Sequence, residues 1–267
     1  MARNLELRGA RTLVTGATGG LGQAIARRLA AEGAELVLTG RRIDVLEPLA
    51  AELGARTVAA DLADLAEVDR LMAEAGPLDL LVANAALPTS GHLLEYTPEQ
   101  VERALTVNLH APIALTRTAA EGMVERGRGH VVLIGSVSGK VASVSSSLYN
   151  ATKFGLRGFA LGFRQDVAQH GVGVSVVEPG FVRDAGMFVE GGGKLPPGMR
   201  TVTPEAVAAG VVKAVRRNKP EVVVAPAELR AGAAVGSVLA GVSEKLQKAG
   251  GGAKVAATLA EGQKDKR

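Results

Sequence analysis

Short apolar runs alternate with longer stretches of helical periodicity along most of the chain. The short runs are continuously apolar, which is typical of strands covered by helices on both faces of a parallel sheet. They cover residues 12–15, 35–39, 56–60, 78–83, 130–134, 172–177 and 221–225. The helical stretches cover residues 20–32, 44–53, 65–75, 98–126, 149–170 and 204–217. This repetition predicts an α/β protein with one doubly wound parallel sheet of about seven strands.

The domain boundaries follow from the same pattern. The 267 residues fit one domain, since domains commonly hold about 100–200 residues and α/β folds run longer. Residues 1–249 are predicted to form a single unit that ends in an amphipathic helix over residues 227–248. Residues 250–267 begin with three glycines and end in a lysine-rich run, which predicts a flexible basic tail.

Composition excludes several classes of function. The chain has no cysteine, no tryptophan, five phenylalanines and two tyrosines. It therefore has no disulfide scaffold, no cysteine-ligated zinc and no catalytic thiol, and few rings on which nucleic-acid bases could stack. The four histidines are far apart and form no metal-binding motif, so we expect no metal. The net charge of +4 is spread over scattered basic pairs, so we expect no nucleic-acid partner.

Apolar segments near both ends are too short to insert into a membrane. The N-terminus lacks the apolar stretch of a secretory signal, and residues 231–242 are too few to form a membrane span. We expect a cytoplasmic protein without an integral membrane segment. For the helix over residues 227–248 we expect packing on the body or on a partner copy, with contact to a lipid surface as the alternative.

A glycine-rich segment, TGATGGLG, follows the first predicted strand and opens the first helix. Gly16 permits a tight turn. Gly20 and Gly22 remove side chains where a pyrophosphate would approach backbone N–H groups at the positive end of the helix. In this strand–loop–helix context the pattern predicts a dinucleotide-binding loop.

The end of the second strand indicates which dinucleotide is preferred. A site for NAD would place Asp or Glu here to accept hydrogen bonds from the ribose hydroxyls. This chain instead has Arg41 and Arg42 after Gly40. Guanidinium groups bind a 2′-phosphate through charge-assisted hydrogen bonds, so NADP(H) is predicted to be preferred over NAD(H). The alternative is that both arginines are solvated residues at the start of a helix.

Three polar residues form the candidate reacting centre. Ser136 follows the fifth predicted strand, and Tyr149 and Lys153 stand four residues apart at the start of a helix. Residues at i and i+4 share a helix face, so the phenol and the ammonium can point into one cleft. A nearby cation favours the phenolate and lowers the pKa of a tyrosine toward neutral pH, where it can exchange protons.

With these motifs the chain resembles the short-chain dehydrogenase/reductase family from about residue 10 to about residue 226. The resemblance rests on the glycine segment, on the Ser136, Tyr149 and Lys153 spacing, and on four further positions. These are Asp61 after strand three, the Asn84-Ala85-Ala86 element after strand four, Asn108 in the long helix, and Pro179-Gly180 after strand six.

The resemblance implies a single-domain Rossmann fold and hydride transfer between a nicotinamide and a carbonyl/alcohol pair. Tyr149 would be the general acid or base, Lys153 would lower its pKa and hold the ribose, Ser136 would polarise the carbonyl, and Asn108 would anchor a water. The expected cofactor contacts are Gly16, Thr18, Gly19, Gly20, Leu21, Gly22, Arg41, Arg42, Asp61, Leu62, Asn84, Ala85, Tyr149, Lys153, Pro179, Gly180 and Val182.

Two positions depart from the family pattern. Ala86 replaces a glycine, and Asp184 replaces a threonine that normally contacts the nicotinamide carboxamide. The resemblance also implies a substrate lid over residues 183–203. Its apolar residues, with Leu87, Ser143 and Val144 in the cleft, indicate a hydrophobic ketone or secondary alcohol as the small-molecule substrate. A homodimer or homotetramer, formed through the two long helices, is expected.

Two other functions remain as alternatives. One is a regulatory protein of the same fold that binds NADP with little turnover, which the complete Ser136, Tyr149 and Lys153 set disfavours. The other is epimerisation or dehydration of nucleotide sugars, which the single-domain length disfavours. The spacing around Gly135–Gly139 does not match the nucleophile elbow of a serine hydrolase.

Overall fold

Seven parallel strands form one sheet in the computed structural model, which describes residues 4–192, 200–239, 241 and 252–263. Their order is β3-β2-β1-β4-β5-β6-β7. The strands are β1 (Arg11–Thr15), β2 (Glu35–Gly40), β3 (Arg56–Ala59), β4 (Leu80–Ala83), β5 (Gly129–Ile134), β6 (Val172–Pro179) and β7 (Glu221–Val224). The predicted single-domain, doubly wound Rossmann fold is confirmed. The strand order reverses between β1 and β4, and such a reversal opens a crevice at the carboxyl ends of the strands.

Helices cover both faces of the sheet. They are α1 (Gly20–Ala31), α2 (Ile43–Leu53), α3 (Leu65–Ala75), α4 (Pro98–Leu105), α5 (Ala111–Glu125), α6 (Ser147–Val167), α7 (Met187–Glu190), α8 (Pro204–Arg216), α9 (Ala227–Gly236) and α10 (Gly252–Gly262). None of these described helices is long and apolar enough to cross a membrane.

The core consists of two apolar layers, one on each face of the sheet. Successive strand residues point to opposite faces, so Val14 packs in the layer with α1 and α8, and Leu13 packs in the layer with α3, α5 and α6. Both layers exclude water from the strands. This explains why the strand sequences are continuously apolar and could be recognised from sequence.

The long helix predicted over residues 98–126 is interrupted. Residues Thr106–His110 form a π-helical turn between α4 and α5. Pro112 stands at the start of α5 and lacks the N–H that would bond to the carbonyl of Asn108 in a continuous α-helix. The interruption falls on Asn108, one of the predicted site residues, and π turns are frequent at functional sites.

The C-terminal segment differs from its prediction. The helix predicted over residues 227–248 is α9 and ends at Gly236, and residues 242–251 lie outside the described residues. The prediction of a flexible tail was wrong for residues 252–262, which form α10. Its stability comes from packing: Ala256 is buried, and the Gln263 side chain bonds to two distant backbone groups. The lysine-rich end, residues 264–267, lies outside the described part.

Candidate active site

The glycine-rich loop between β1 and α1 closes tightly on itself. Gly16 has a φ of +66°, and a Cβ added there would lie 2.8 Å from the Cα of Ala85. A Cβ at Gly22 would lie 2.2 Å from the carbonyl oxygen of Gly16. Gly19 caps α1 without a side-chain hydrogen bond. The positive end of α1 therefore carries backbone N–H groups of the kind that bind phosphate.

Thr15 joins this loop to the neighbouring strand. Its buried hydroxyl accepts hydrogen bonds from the backbone N–H groups of Asn84 and Ala85, each at 3.0 Å. The Asn84 amide in turn donates to the carbonyl of Thr15 at 3.0 Å. These bonds fix the ends of β1 and β4 against each other. Thr15 is not among the site residues predicted from sequence, although its place directly before Gly16 was a usable signal.

Two arginines and an aspartate lie at the ends of β2 and β3. Arg42 donates from Nη2 to the carbonyl of Thr18 in the glycine loop at 2.8 Å, and Arg41 lies 3.8 Å from the Asp61 carboxylate. Asp61 also accepts from the backbone N–H of Ala63 at 3.1 Å. Both guanidiniums line the same cavity as the glycine loop.

Ser136, Tyr149 and Lys153 come together beyond the glycine loop. Ser136 follows β5, and Tyr149 stands in the first turn of α6 with its hydroxyl hydrogen-bonded to Ser136. The Lys153 ammonium is buried, donates to the carbonyl of Ile134 at 3.0 Å and lies 5.7 Å from the centre of the Tyr149 ring. The i, i+4 spacing therefore places the phenol and the ammonium in one cleft, as predicted.

The pKa values differ in part from the prediction. Burial raises the pKa of Tyr149, and the hydrogen bond with Ser136 opposes that rise. Burial lowers the pKa of Lys153 to about 8. We expected Lys153 to lower the pKa of Tyr149. In this structure desolvation of the phenol outweighs other influences, and the ammonium is hydrogen-bonded to Ile134.

Asn108 holds a loop rather than facing the cavity. Its Oδ1 accepts from the backbone N–H of Leu87 at 2.6 Å, and its Nδ2 donates to the carbonyl of Leu87 at 2.9 Å. Only 1% of Asn108 is exposed. Leu87 and the residues after it line the cavity. Asn108 is therefore a positioning residue for the loop after β4.

The segment after β6 crosses the glycine loop. Val182 pairs with Val202, and a Cβ at Gly20 would lie 2.6 Å from the Cβ of Ala185. Asp184 has a φ of +65°, and its carboxylate is 74% exposed beside Arg183. Neither Asp184 nor Arg183 lines the cavity. The structure thus gives the unusual Asp184 no contact with the reacting centre.

One cavity of about 1090 Å³ connects these features. Of the predicted residues, all line it except Asn108, which lies behind Leu87, and Gly20, which is covered by Ala185. Leu87 and Ser143 also line it, whereas Val144 points to solvent. In the predicted lid, residues 193–199 lie outside the described part. Within the described residues, no group of acidic, histidine or cysteine side chains could hold a metal ion.

Sequence analysis missed two groups of cavity residues. Arg103, on α4, lines the cavity, and its side chain has no partner among the described residues. Ala256, Leu259 and Gln263, on and beside α10, line its other side. The helical period placed Arg103 four residues before Val107, on one face, but nothing in sequence showed that this face borders a cavity.

Comparison with known proteins identifies the family. A family model described as short chain dehydrogenase matches residues 10–191. The chain belongs to the short-chain dehydrogenase family. It is 35% identical over 227 residues to the ketoacyl reductase HetN of a Nostoc species, covering 82% of this chain and 79% of the relative.

Solved structures of the family share the fold. A putative betaketoacyl-ACP reductase superposes with a TM-score of 0.77 at 32% identity, covering 84% of this chain and 100% of that one. A short-chain dehydrogenase from Sphingobium yanoikuyae, solved in complex with NADPH, gives a TM-score of 0.75 at 28% identity. That match covers 89% of this chain and 94% of the other. The chain is therefore an oxidoreductase of a family that binds a nicotinamide cofactor.

Proposed function

We propose that the protein is an NADP(H)-dependent reductase of hydrophobic ketones, with Tyr149 as the general acid. The observation that carries this proposal is that Ser136, Tyr149 and Lys153 line the same cavity as the glycine loop. A phosphate-binding loop beside a proton donor is the arrangement that carbonyl reduction requires.

The residues of the loop fit a dinucleotide. A Cβ at Gly16 or Gly22 would collide with the protein's own backbone, so only glycine allows the loop to fold this closely beside the cavity. The N-terminus of α1 supplies the N–H groups for a pyrophosphate. Asn84 and Ala85, held by Thr15, would border the nicotinamide end, with Pro179, Gly180 and Val182 on the opposite side. When bound, the cofactor supplies the hydride.

The preference for NADP(H) rests on charge at the end of β2. No carboxylate stands there to accept hydrogen bonds from the ribose, and Arg41 and Arg42 reach the cavity. Arg42 is already oriented by its bond to Thr18. Two guanidiniums in this place favour a 2′-phosphate over a free hydroxyl. The related enzyme from Sphingobium yanoikuyae was solved with NADPH.

Proton transfer would run through Tyr149. A ketone oxygen placed beside Ser136 accepts a hydrogen bond from the serine and the proton from the phenol. The phenol carries the proton that reduction consumes, and burial, which raises the pKa of Tyr149, keeps that proton on the phenol until the ketone oxygen accepts it. Lys153, charged below pH about 8, stabilises the phenolate that forms.

The substrate class is inferred from the cavity and from relatives. The cavity that Tyr149 lines is also lined by Met187, Phe188, Leu229 and Leu259, which suit a hydrocarbon group. Two of the related proteins are named as ketoacyl or betaketoacyl reductases. We therefore propose a ketone on an apolar chain rather than a small polar carbonyl compound.

A substrate panel tests the proposal. The purified protein is assayed with NADPH and with NADH against methyl ketones, β-keto esters and aldehydes. We expect turnover with NADPH, higher kcat/KM for longer apolar ketones, and weaker use of NADH. Binding of NADPH with no turnover on any carbonyl compound would support the regulatory alternative instead.

We also propose that the protein self-associates as a dimer or tetramer through α4, α5 and α6. Phe154, on α6, is 42% exposed, so its ring is available for a contact between copies. Light scattering coupled to size-exclusion chromatography would test this proposal. Phe154→Glu is expected to shift the mass toward the monomer, and a wild-type monomer would refute it.

A further inference from the structure

The C-terminal end of the described chain is tied to two parts of the active site. Gln263 is only 3% exposed, although it follows the last turn of α10. Its Oε1 accepts from the backbone N–H of Ser90 at 3.2 Å, and its Nε2 donates to the carbonyl of Met187 at 3.0 Å. One side chain thus joins the loop after β4 to the short helix α7.

A glycine contact also brings the ends of α10 and α7 together. A Cβ added at Gly262 would lie 2.1 Å from the carbonyl oxygen of Gly191, so the two backbones touch. A Cβ at Gly191 would lie 3.1 Å from Cγ of Gln263. Because only glycine permits this close approach at residue 262, the end of α10 packs in a defined position against the end of α7.

The face of α10 toward the cavity is small and apolar. Ala256 and Leu259 line the cavity, and Gln263 continues this row at helical spacing. Ala257, Thr258 and Glu261 are exposed on the other side of the helix. The same cavity is lined by the apolar residues Met187, Phe188, Leu229 and Ala233.

We infer that α10 is a wall of the substrate compartment, and that Ala256 and Leu259 set the length and width of the apolar group that the substrate carries. The inference rests on the proposed function, since it names the part of the protein that selects among ketones. Gln263 is the positioning residue that fixes α10 over the cavity. The ligand chemistry is a hydrocarbon group, because both residues are aliphatic and both line the cavity.

The position of α10 is tested first by a cross-link that needs no activity. The chain has no cysteine, so introduced thiols are the only ones. Cysteines at 191 and 263 would have β-carbons within the range that a disulfide spans, since Cβ at 191 already approaches Cγ of Gln263 at 3.1 Å. Under mild oxidation, Gly191→Cys with Gln263→Cys is expected to lose both free thiols as an intramolecular disulfide.

The matched control places the second cysteine on the exposed face, as Gly191→Cys with Ala257→Cys. That pair is expected to retain its thiols. Equal oxidation of both pairs, or no intramolecular disulfide in the first pair, would overturn the placement of α10.

The specificity role is tested with two neighbouring alanines. Ala256→Leu fills the cavity, and Ala257→Leu makes the same change on the exposed side of the same helix. With NADPH, Ala256→Leu is expected to lower kcat/KM for 2-dodecanone at least tenfold and that for 2-butanone less than twofold. Ala257→Leu is expected to change neither, and the Kd of NADPH should stay the same in both variants.

Failure of the two proposals can be told apart. If no ketone is reduced, the proposed function fails, and binding of 2-dodecanone to the protein with NADP⁺ is measured by saturation-transfer NMR in the same variants. Weaker binding only in Ala256→Leu would still support the inference. If ketones are reduced or bound equally by both variants, α10 does not select the substrate and the inference is wrong.

Discussion

The Nζ of Lys153 lies 3.0 Å from the carbonyl oxygen of Ile134, and this bond is the ammonium's partner inside the protein. It links α6 to the end of β5, where Ser136 follows two residues later. A buried cation with one backbone acceptor is costly to keep charged, which explains why its pKa falls to about 8. The reacting centre thus contains a charged ammonium whose burial lowers the stability of the fold.

This cost predicts how stability depends on pH. The folded-state pKa of Lys153 lies below its value in the unfolded chain, so the unfolded state binds more protons between pH 8 and 10.5 and stability rises across that window. Across that pH window the unfolding free energy of the wild-type protein should rise by up to about 3 kcal/mol more than that of Lys153→Met. Urea unfolding of both proteins at pH 7 and 10 measures the difference. A gap that is independent of pH would contradict the buried-cation account.

Charge at the end of β2 predicts cofactor preference. Replacing Arg41 and Arg42 together by alanine should raise the Kd of NADPH about 10²- to 10⁴-fold, because charge-assisted hydrogen bonds are each worth about 1.5–3 kcal/mol. The Kd of NADH should change less than threefold. Arg117→Ala, on the exposed surface of α5, is the matched control and should alter neither value. An equal rise in the Kd of both cofactors would show that the arginines do not bind the 2′-phosphate.

The glycine loop predicts a sharp contrast between two Gly→Ala changes. Gly22→Ala would place a Cβ 2.2 Å from the carbonyl oxygen of Gly16 and should abolish tight NADPH binding. Gly158→Ala, in the interior of α6 with nothing within 4 Å of its Cβ, should stabilise the fold by about 0.5–1 kcal/mol. Fluorescence titration with NADPH and thermal unfolding measure the two effects. Normal NADPH affinity in Gly22→Ala would argue against this loop as the phosphate site.

Asn108 is predicted to act through the loop after β4. Asn108→Ala leaves the N–H and carbonyl of Leu87 without their partner, at a cost of about 1–3 kcal/mol for each buried group left unpaired. Asn108→Asp can still accept from the N–H, but it places a buried carboxylate against the carbonyl oxygen of Leu87, so at neutral pH it should destabilise the fold at least as much as Asn108→Ala. Stability is measured by denaturant unfolding, and KM for the ketone should rise in the same order. Stability unchanged in Asn108→Ala would exclude the positioning role.

Sequence predicted the sheet and the shared helix face of Tyr149 and Lys153, because both depend on local patterns. The apolar strands are continuous since helices bury both faces, and the i, i+4 spacing of Tyr149 and Lys153 fixes their common face. The π turn at Asn108 was not predicted, because Pro112, which follows the turn, is also a common residue at the start of an ordinary α-helix. The position of α10 could not be predicted either. Gln263 and Ser90 are 173 residues apart in sequence, and the glycines that precede α10 resemble a linker.

The most direct test of the proposed mechanism is the turnover of Tyr149→Phe with NADPH and a long-chain methyl ketone. The variant keeps the ring and loses only the hydroxyl that bonds to Ser136. We predict that kcat falls about 10²- to 10⁴-fold, the range typical for loss of a general acid, while the Kd of NADPH stays within threefold. Turnover equal to that of the wild-type protein would contradict Tyr149 as the proton donor.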